Sequence, residues 1–329
     1  MGVNNSFEKI NYSLRPAKSI ERKMILQFCM RLLPFTFVDR YHYIGFGSIY
    51  YSDFILFHKN LNITKMSSIE FERNESRAKF NLPYNCIELY AGNSNKILSS
   101  LVNKEEKSIL WLDYDSPLSN SALDDIQTFS GQSSSGSMLL ITVNANSDNN
   151  ECIQDDSKKL FSYRLEQLIT RVSKNKIPDI SKSIDLNQKN LCNLYRKIIT
   201  NEISETLTKR NKAITANEKI IYKQIMNYNY SDGAKMMTLG FIFFKNEDNQ
   251  KFIDCKFDEV PTYSNSEEVY TINAPKLTTD EIRVLNKILP IKEGEEYNIP
   301  EINNVKFKKV AEEYSKVYQY FPQFLESLY

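Results

Sequence analysis

YHYIGFGS, residues 41–48, decides the fold. A short apolar run ends in two glycines, Gly45 and Gly47, and a helical pattern, SIYYSDFILFHKNL (48–61), opens directly behind it. The chain holds only 9 glycines in 329 residues. Two of them within three positions mark a backbone requirement, either a tight turn or a ligand approaching the main chain.

Four more apolar runs follow at regular intervals: KMSSIE (65–70), CIELY (86–90), SILWLDY (108–114) and MLLITV (138–143). Helical patterns separate them: RNESRAKFNL (73–82), SNKILSSLVNK (94–104) and SALDDIQTF (121–129). Strands alternating with helices predict βαβ units and a parallel sheet. The runs do not alternate polar with apolar, as expected of strands buried on both faces. Upstream, KSIERKMILQFCMRLL (18–33) sets Ile20, Met24, Ile25, Phe28, Cys29, Leu32 and Leu33 on one helical stripe, and Pro34 ends it.

The pattern changes after residue 144. A polar segment (144–159) leads to helices over about 160–173 and 188–210. Three strand-like runs come next: IIYKQIMNYNY (220–230), KMMTLGFIFFK (235–245) and KFIDCKF (251–257). Turn signals at Ser231-Asp232-Gly233 and Asn246–Asn249 make them hairpins that close the sheet edge. Thr278 and Glu281 form a capping-box pattern, and a last amphipathic helix is expected over 305–327. The predicted fold is α/β: a Rossmann-like, mostly parallel sheet with antiparallel edge hairpins, a helical insert and a helical C-terminal region. The expected divisions are an N-terminal helical segment (1–37), a cofactor-binding core (38–145), a helical insert or lid (146–215), edge strands (216–260) and a C-terminal helical region (261–329).

Lys and Arg number 42 against 41 Asp and Glu, a net charge of +1, which gives no sign of a nucleic-acid clamp. There is no apolar run of transmembrane length and no signal-like apolar core at the N-terminus, so a cytoplasmic location is expected. MGVNNS fits the loose myristoylation pattern through Gly2 and Ser6. Five scattered cysteines and two histidines, His42 and His58, predict reduced thiols and no metal site.

In an open parallel sheet the loops after the first four strands meet in one crevice. Here they bring together Gly45, Gly47 and Ser48, the acid Glu70, Asn93 behind Gly92, and Asp113 with Asp115. A dinucleotide fingerprint needs a third glycine at position 50, which is Tyr50. Glu70 fits a ribose-binding acid, a solvated strand end or a salt-bridge partner, and Asn93 fits either an adenine-edge reader or an ordinary helix N-cap. Asp113 and Asp115 fit substrate-facing acids, helix caps or partners of lysines.

This order of motifs resembles the class I S-adenosylmethionine-dependent methyltransferases over residues 38–145, with the edge strands as the sixth and seventh. The resemblance implies cofactor contacts from Gly45, Gly47, Ser48, Glu70 and Asn93, and catalytic roles for Asp113 and Asp115. It implies S-adenosylmethionine as cofactor and methyl transfer to an acceptor that the sequence does not identify. Two positions depart from the family: Tyr43 stands where an acid is usual, and Ile49 where a third glycine is common. The alternative is a non-catalytic scaffold of the same fold, with a protein partner or second copy meeting the helical insert or the aromatic C-terminal region.

Overall fold

The computed structural model describes residues 15–153, 155–179, 186–187, 190–291 and 305–322. The Gly2–Ser6 pattern and the end of the last expected helix lie outside these residues. The described chain forms one eight-stranded sheet in the order β3-β2-β1-β4-β5-β7-β6-β8. The strands are β1 (His42–Gly45), β2 (Lys65–Glu70), β3 (Ile87–Ala91), β4 (Ser108–Pro117), β5 (Ser137–Asn144), β6 (Ile220–Ser231), β7 (Lys235–Lys245) and β8 (Tyr270–Ile272). Strands β1 to β5 run parallel, β7 is antiparallel to both β5 and β6, and β8 lies parallel to β6. β1 is central, flanked by β2 and β4, so the order reverses at its side and a crevice opens at the carboxyl ends.

Side chains alternate between two cores, one on each face. Tyr43, Ile109, Trp111, Met138 and Leu140 face helices α1 (Pro16–Met30) and α2 (Ser52–Leu61). Ile44, Leu110, Leu112, Leu139 and Ile141 face α4 (Ser94–Leu101), α5 (Asn120–Gln132), α6 (Ser157–Val172) and α7 (Leu191–Arg210). The short α3 (Glu75–Phe80) follows β2. The apolar continuity of the strands is explained by this double coverage.

The structure corrects one expectation. KFIDCKF is not a strand: α8 (Asn249–Asp254) occupies most of it. Its apparent alternation hides a helical pair, Phe252 and Cys255, three residues apart. Phe252 stacks on Phe244 at 4.9 Å, Cys255 is buried and Ile253 is exposed. The third edge strand is instead β8, which holds to β6 through Tyr270 against the Tyr228 ring and the buried Ile272. Within 146–215, the stripe of α7 from Leu194 through Ile203 to Leu207 is buried in the core against α5 and the sheet. Near the C-terminus, α9 (Thr279–Ile288) carries the expected Thr278–Glu281 capping box and packs with α10 (Val305–Val317) through Leu285, Phe307, Ala311 and Tyr314.

α1 is anchored at its first turn by a side chain from far along the chain. Asp232, in the β6–β7 turn, accepts from the amides of Ala17 at 3.2 Å and Lys18 at 2.9 Å. A carboxylate there satisfies two of the orphan donors of the helix and sits at the positive end of its dipole. Asp232→Ala is expected to lower stability by about 1 kcal/mol, a fall in melting midpoint of about 2–4 °C. Chemical denaturation of the variant against wild type reads it directly.

Candidate functional site

A cavity of about 510 Å³ opens at the carboxyl ends of β1 to β4. Its volume falls in the range of small-molecule and cofactor sites. Of the residues singled out from sequence, Gly47, Ser48, Glu70, Asn93, Asp113 and Asp115 line it, and Gly45 does not.

The β1–α2 loop builds one wall. Ser48 and Tyr51 hold left-handed backbone at φ 50° and 46°, which non-glycine residues seldom adopt. The bend lets the Tyr51 ring fold back over Gly47, where an added Cβ would lie 2.4 Å from the ring and 2.6 Å from Ser68 Oγ. Gly47 is therefore fixed by packing as well as by its place in the cavity. Gly45 serves a buried pair behind the wall. Its missing Cβ leaves room for the Tyr43 hydroxyl, which would be 2.8 Å away. That hydroxyl donates to Asp53 Oδ2, and Asp53 does line the cavity.

Glu70 ends β2 and is 9% exposed as a residue. Oε1 accepts from the Ser48 amide at 3.0 Å and Oε2 from Asn74 Nδ2 at 3.2 Å. Burial pushes its pKa up, and these donors pull it part of the way back. Two carboxylate oxygens carry about four lone-pair sites, so acceptor capacity remains for a ligand. Asn93 plays a structural part as well as lining the cavity: its Oδ1 caps α4 by accepting from the Asn95 amide at 3.3 Å. Gly92, before it, takes φ 145° and donates to the Glu70 carbonyl at 2.8 Å, tying the β2 and β3 ends together.

Asp113 is ion-paired. Lys18 of α1 reaches Asp113 Oδ1 and Glu21 Oε2, both at 2.8 Å, with its ammonium 4.5 Å from the Trp111 ring centre. Lys18 and Glu21 are almost wholly buried, at 1% and 0% exposed. Glu21 also accepts from Thr238, and burial raises its pKa above the ordinary carboxylate value. Asp115 sits further out, exposed at the mouth. Tyr114, between them, turns to the other face and donates to Asp125 at 2.5 Å, while its ring meets Phe46 edge-on at 5.2 Å.

The sequence reading missed Arg22, Asp53, Phe71, Arg73 and Asn74, all of which line the cavity. Arg73 lies over the Phe71 ring at 5.1 Å, at the open side. The only signal for Arg22 was its place one turn beyond Lys18 on a helix that packs on the sheet. The histidines lie elsewhere. His42 is at the amino end of β1 beside Ser67 at 2.8 Å, pushed down to about 4 by burial, and His58 Nδ1 faces the Ile63 carbonyl at 2.8 Å. Among the described residues no three His, Cys, Asp or Glu side chains converge to hold a metal ion, and no helix is long and apolar enough to cross a membrane.

Residues 10–329 match the model of a family described as "Putative O-methyltransferase". Among curated proteins none matches the chain. Similar solved structures include the plantazolicin methyltransferase BamL in complex with a triazolic desmethylPZN analog and SAH. It is 14% identical with a TM-score of 0.37, over 73% of this chain and 87% of that one. The O-methyltransferase TomG from Streptomyces achromogenes, involved in tomaymycin synthesis and bound to SAM, is 14% identical with a TM-score of 0.36, over 72% and 93%. LepI in complex with SAM is 11% identical with a TM-score of 0.34, over 62% of this chain, which spans 43% of LepI's length.

Proposed function

The chain belongs to that O-methyltransferase family, and from this premise we propose that it moves a methyl group from S-adenosylmethionine to a hydroxyl oxygen of an acceptor. The observation that carries the reading is Glu70: a buried carboxylate, steadied by Ser48 and Asn74, with acceptor capacity turned to a cavity at the switch point of the sheet. Such an acid suits a ribose diol, whose two hydroxyls donate. The residues present fit the donor in size and in polarity. The donor, when bound, supplies the methyl group and a sulfonium leaving group.

Glu70 would hold the ribose, and Gly92-Asn93 would border the base. Gly47, lacking a side chain, admits the ligand close to the β1–α2 loop. Alignment of donor and acceptor supplies most of the rate in such a transfer, through proximity. The acceptor enters past Asp113 and Asp115, the exposed end of β4. Asp113 is held by Lys18, so it acts as a fixed negative wall. Asp115, in the solvent-facing position, is the better placed to take the acceptor's proton.

The test is calorimetric titration of S-adenosylhomocysteine into the whole chain, with thermal shift beside it. Saturable binding and a raised melting midpoint are expected. No heat and no shift at millimolar ligand would remove the enzyme reading and leave the scaffold.

A further inference from the structure

A second cavity, of about 500 Å³, lies at the amino ends of β1 and β2, away from the cavity described above. It begins where α4 ends: Ser100 and Leu101, in the last turn of that eight-residue helix, border it. Its wall carries a chain of hydrogen-bond donors that runs one way. Tyr90 of β3 donates to Glu88 Oε2 at 2.6 Å. Ser67 of β2 donates to the Tyr90 oxygen: the bond to Glu88 raises the Tyr90 pKa, burial adds to this, and Ser67 opposes both. With its one proton committed, Ser67 Oγ accepts from His42 Nε2, 2.8 Å away. Burial pushes the His42 pKa down to about 4, so the ring is neutral and carries a single N–H. Nδ1 is left as a bare acceptor.

That acceptor has no hydrogen-bond partner, although His42 is only 3% exposed. What faces it is a second acceptor. Glu106 Oε2 stands 3.6 Å from Nδ1. Glu106 is held in place by the Lys65 ammonium, which meets both its oxygens at 2.7 Å, and by Asn103, which accepts from the Glu106 amide at 2.9 Å. A buried acceptor without a donor is costly. The surroundings also favour positive charge: Glu106 and Glu88 both draw a cation to the ring, and Lys65 opposes them. The gap therefore suits a positively charged donor with at least two hydrogens, one for Nδ1 and one for Glu106. Among the described residues no three His, Cys, Asp or Glu side chains converge to hold a metal ion, which favours an organic ammonium. The remaining wall, with Thr64, Asn85, Ser100 and Asn103, offers hydroxyls and amides that both give and accept hydrogen bonds.

We propose that this cavity binds a small hydroxylated primary amine, of the amino-sugar or amino-alcohol kind, whose ammonium bridges His42 Nδ1 and Glu106. Its hydroxyls meet the amide and hydroxyl wall. The site is separate from the methyl-donor cavity and does not depend on that reading.

The chain has only two histidines, so nitrogen NMR of the imidazoles resolves both rings in the whole protein. Without ligand, His42 should show the Nε2–H tautomer. His58, whose Nδ1 donates to the Ile63 carbonyl at 2.8 Å, should show the Nδ1–H tautomer. Millimolar glucosamine at constant pH should shift the His42 Nδ1 resonance saturably and leave His58 unmoved. Glucose, which lacks the ammonium, should bind at least about tenfold more weakly. Glu106→Gln should weaken glucosamine about tenfold or more, because it removes a charged acceptor at the ligand. Glu88→Gln, which acts only through Tyr90 and Ser67, should weaken it less. The His58 signal and the melting midpoint show that each variant is folded. An Nδ1–H tautomer at His42 in the free protein overturns the proposal, because the ring would then be a donor toward Glu106. A His42 ring that neither glucosamine nor ethanolamine moves also overturns it and leaves the gap to water. So does glucose bound as tightly as glucosamine, or a Glu106→Gln variant that binds glucosamine as well as wild type.

Discussion

Lys18→Met will destabilise the protein by about 3–5 kcal/mol at neutral pH, the range seen when one partner of a buried ion pair is removed. Lys18 stands between Glu21 and Asp113 at 2.8 Å from each, and its removal leaves two carboxylates together in a desolvated space. The methionine fills most of the vacated volume, so the loss reports charge and not a cavity. The effect depends on pH in a defined direction. Glu21 already has its pKa raised by burial, with Lys18 pulling it down and Asp113 pushing it up. In the variant the pull is gone. A carboxyl with a raised folded pKa weakens the fold as pH climbs from its unfolded value, near 4.5, toward the folded one. The gap between variant and wild type should therefore shrink as pH falls toward 4.5 and widen above it. Of the other titratable groups that feel this cluster, Tyr43, Tyr228 and Tyr230 have their pKa values raised by burial and stay neutral throughout this window, and Asp53, raised by burial and pushed up slightly by Asp113, keeps the same neighbours in variant and wild type. Adding Glu21→Gln to Lys18→Met should recover a large part of the stability. Urea unfolding of both variants from pH 4.5 to 8 reads all three expectations. A single variant as stable as wild type at pH 8 would show that Lys18 is not balancing the two acids.

That cluster also shows where the sequence stopped being legible. The strands could be read because parallel strands covered on both faces are apolar throughout, and Ile109 to Leu112 have no other environment that suits them. The crevice could be read for the same reason: once the strand order is known, Gly47, Glu70, Asn93 and Asp113 have to emerge at one edge. The charged residues of α1 gave no such sign. Lys18, Glu21 and Arg22 lie beside an apolar stripe at spacings that describe a solvated helix face equally well. They are buried because the first turns of α1 lie at the carboxyl end of β4, a long-range arrangement fixed partly by Asp232, more than 200 residues away. Asp53 was hidden in the same way, since an acid in a helix's first turn is ordinary. KFIDCKF misled through a period of two that was accidental, and β8 was too short to carry any period.

Glu70→Ala will weaken S-adenosylhomocysteine by about 2–4 kcal/mol, roughly thirty- to a thousandfold in Kd, because hydrogen bonds to a charged acceptor are worth about 1.5–3 kcal/mol each. The loss should be equal for methylthioadenosine, which keeps the ribose. That equality assigns the loss to the ribose and not to the amino-acid end of the ligand. Glu70→Gln is the sharper variant. Burial raises the pKa of Glu70 in the empty protein, so keeping it ionised above about pH 4.5 costs the fold stability that a neutral amide does not. Glutamine also keeps a carbonyl for the Ser48 amide. The variant is expected to be at least as stable as wild type at pH 7 and to bind S-adenosylhomocysteine at least tenfold more weakly. Stability held while affinity is lost marks a residue retained for its ligand. The wild type should itself bind less tightly as pH falls through the raised Glu70 value, because a protonated carboxyl accepts fewer hydrogen bonds. The opposite result, stability lost and affinity kept, would make Glu70 a fastener of the β1–α2 loop through Ser48 and Asn74, and the ribose site would have to lie elsewhere along the cavity.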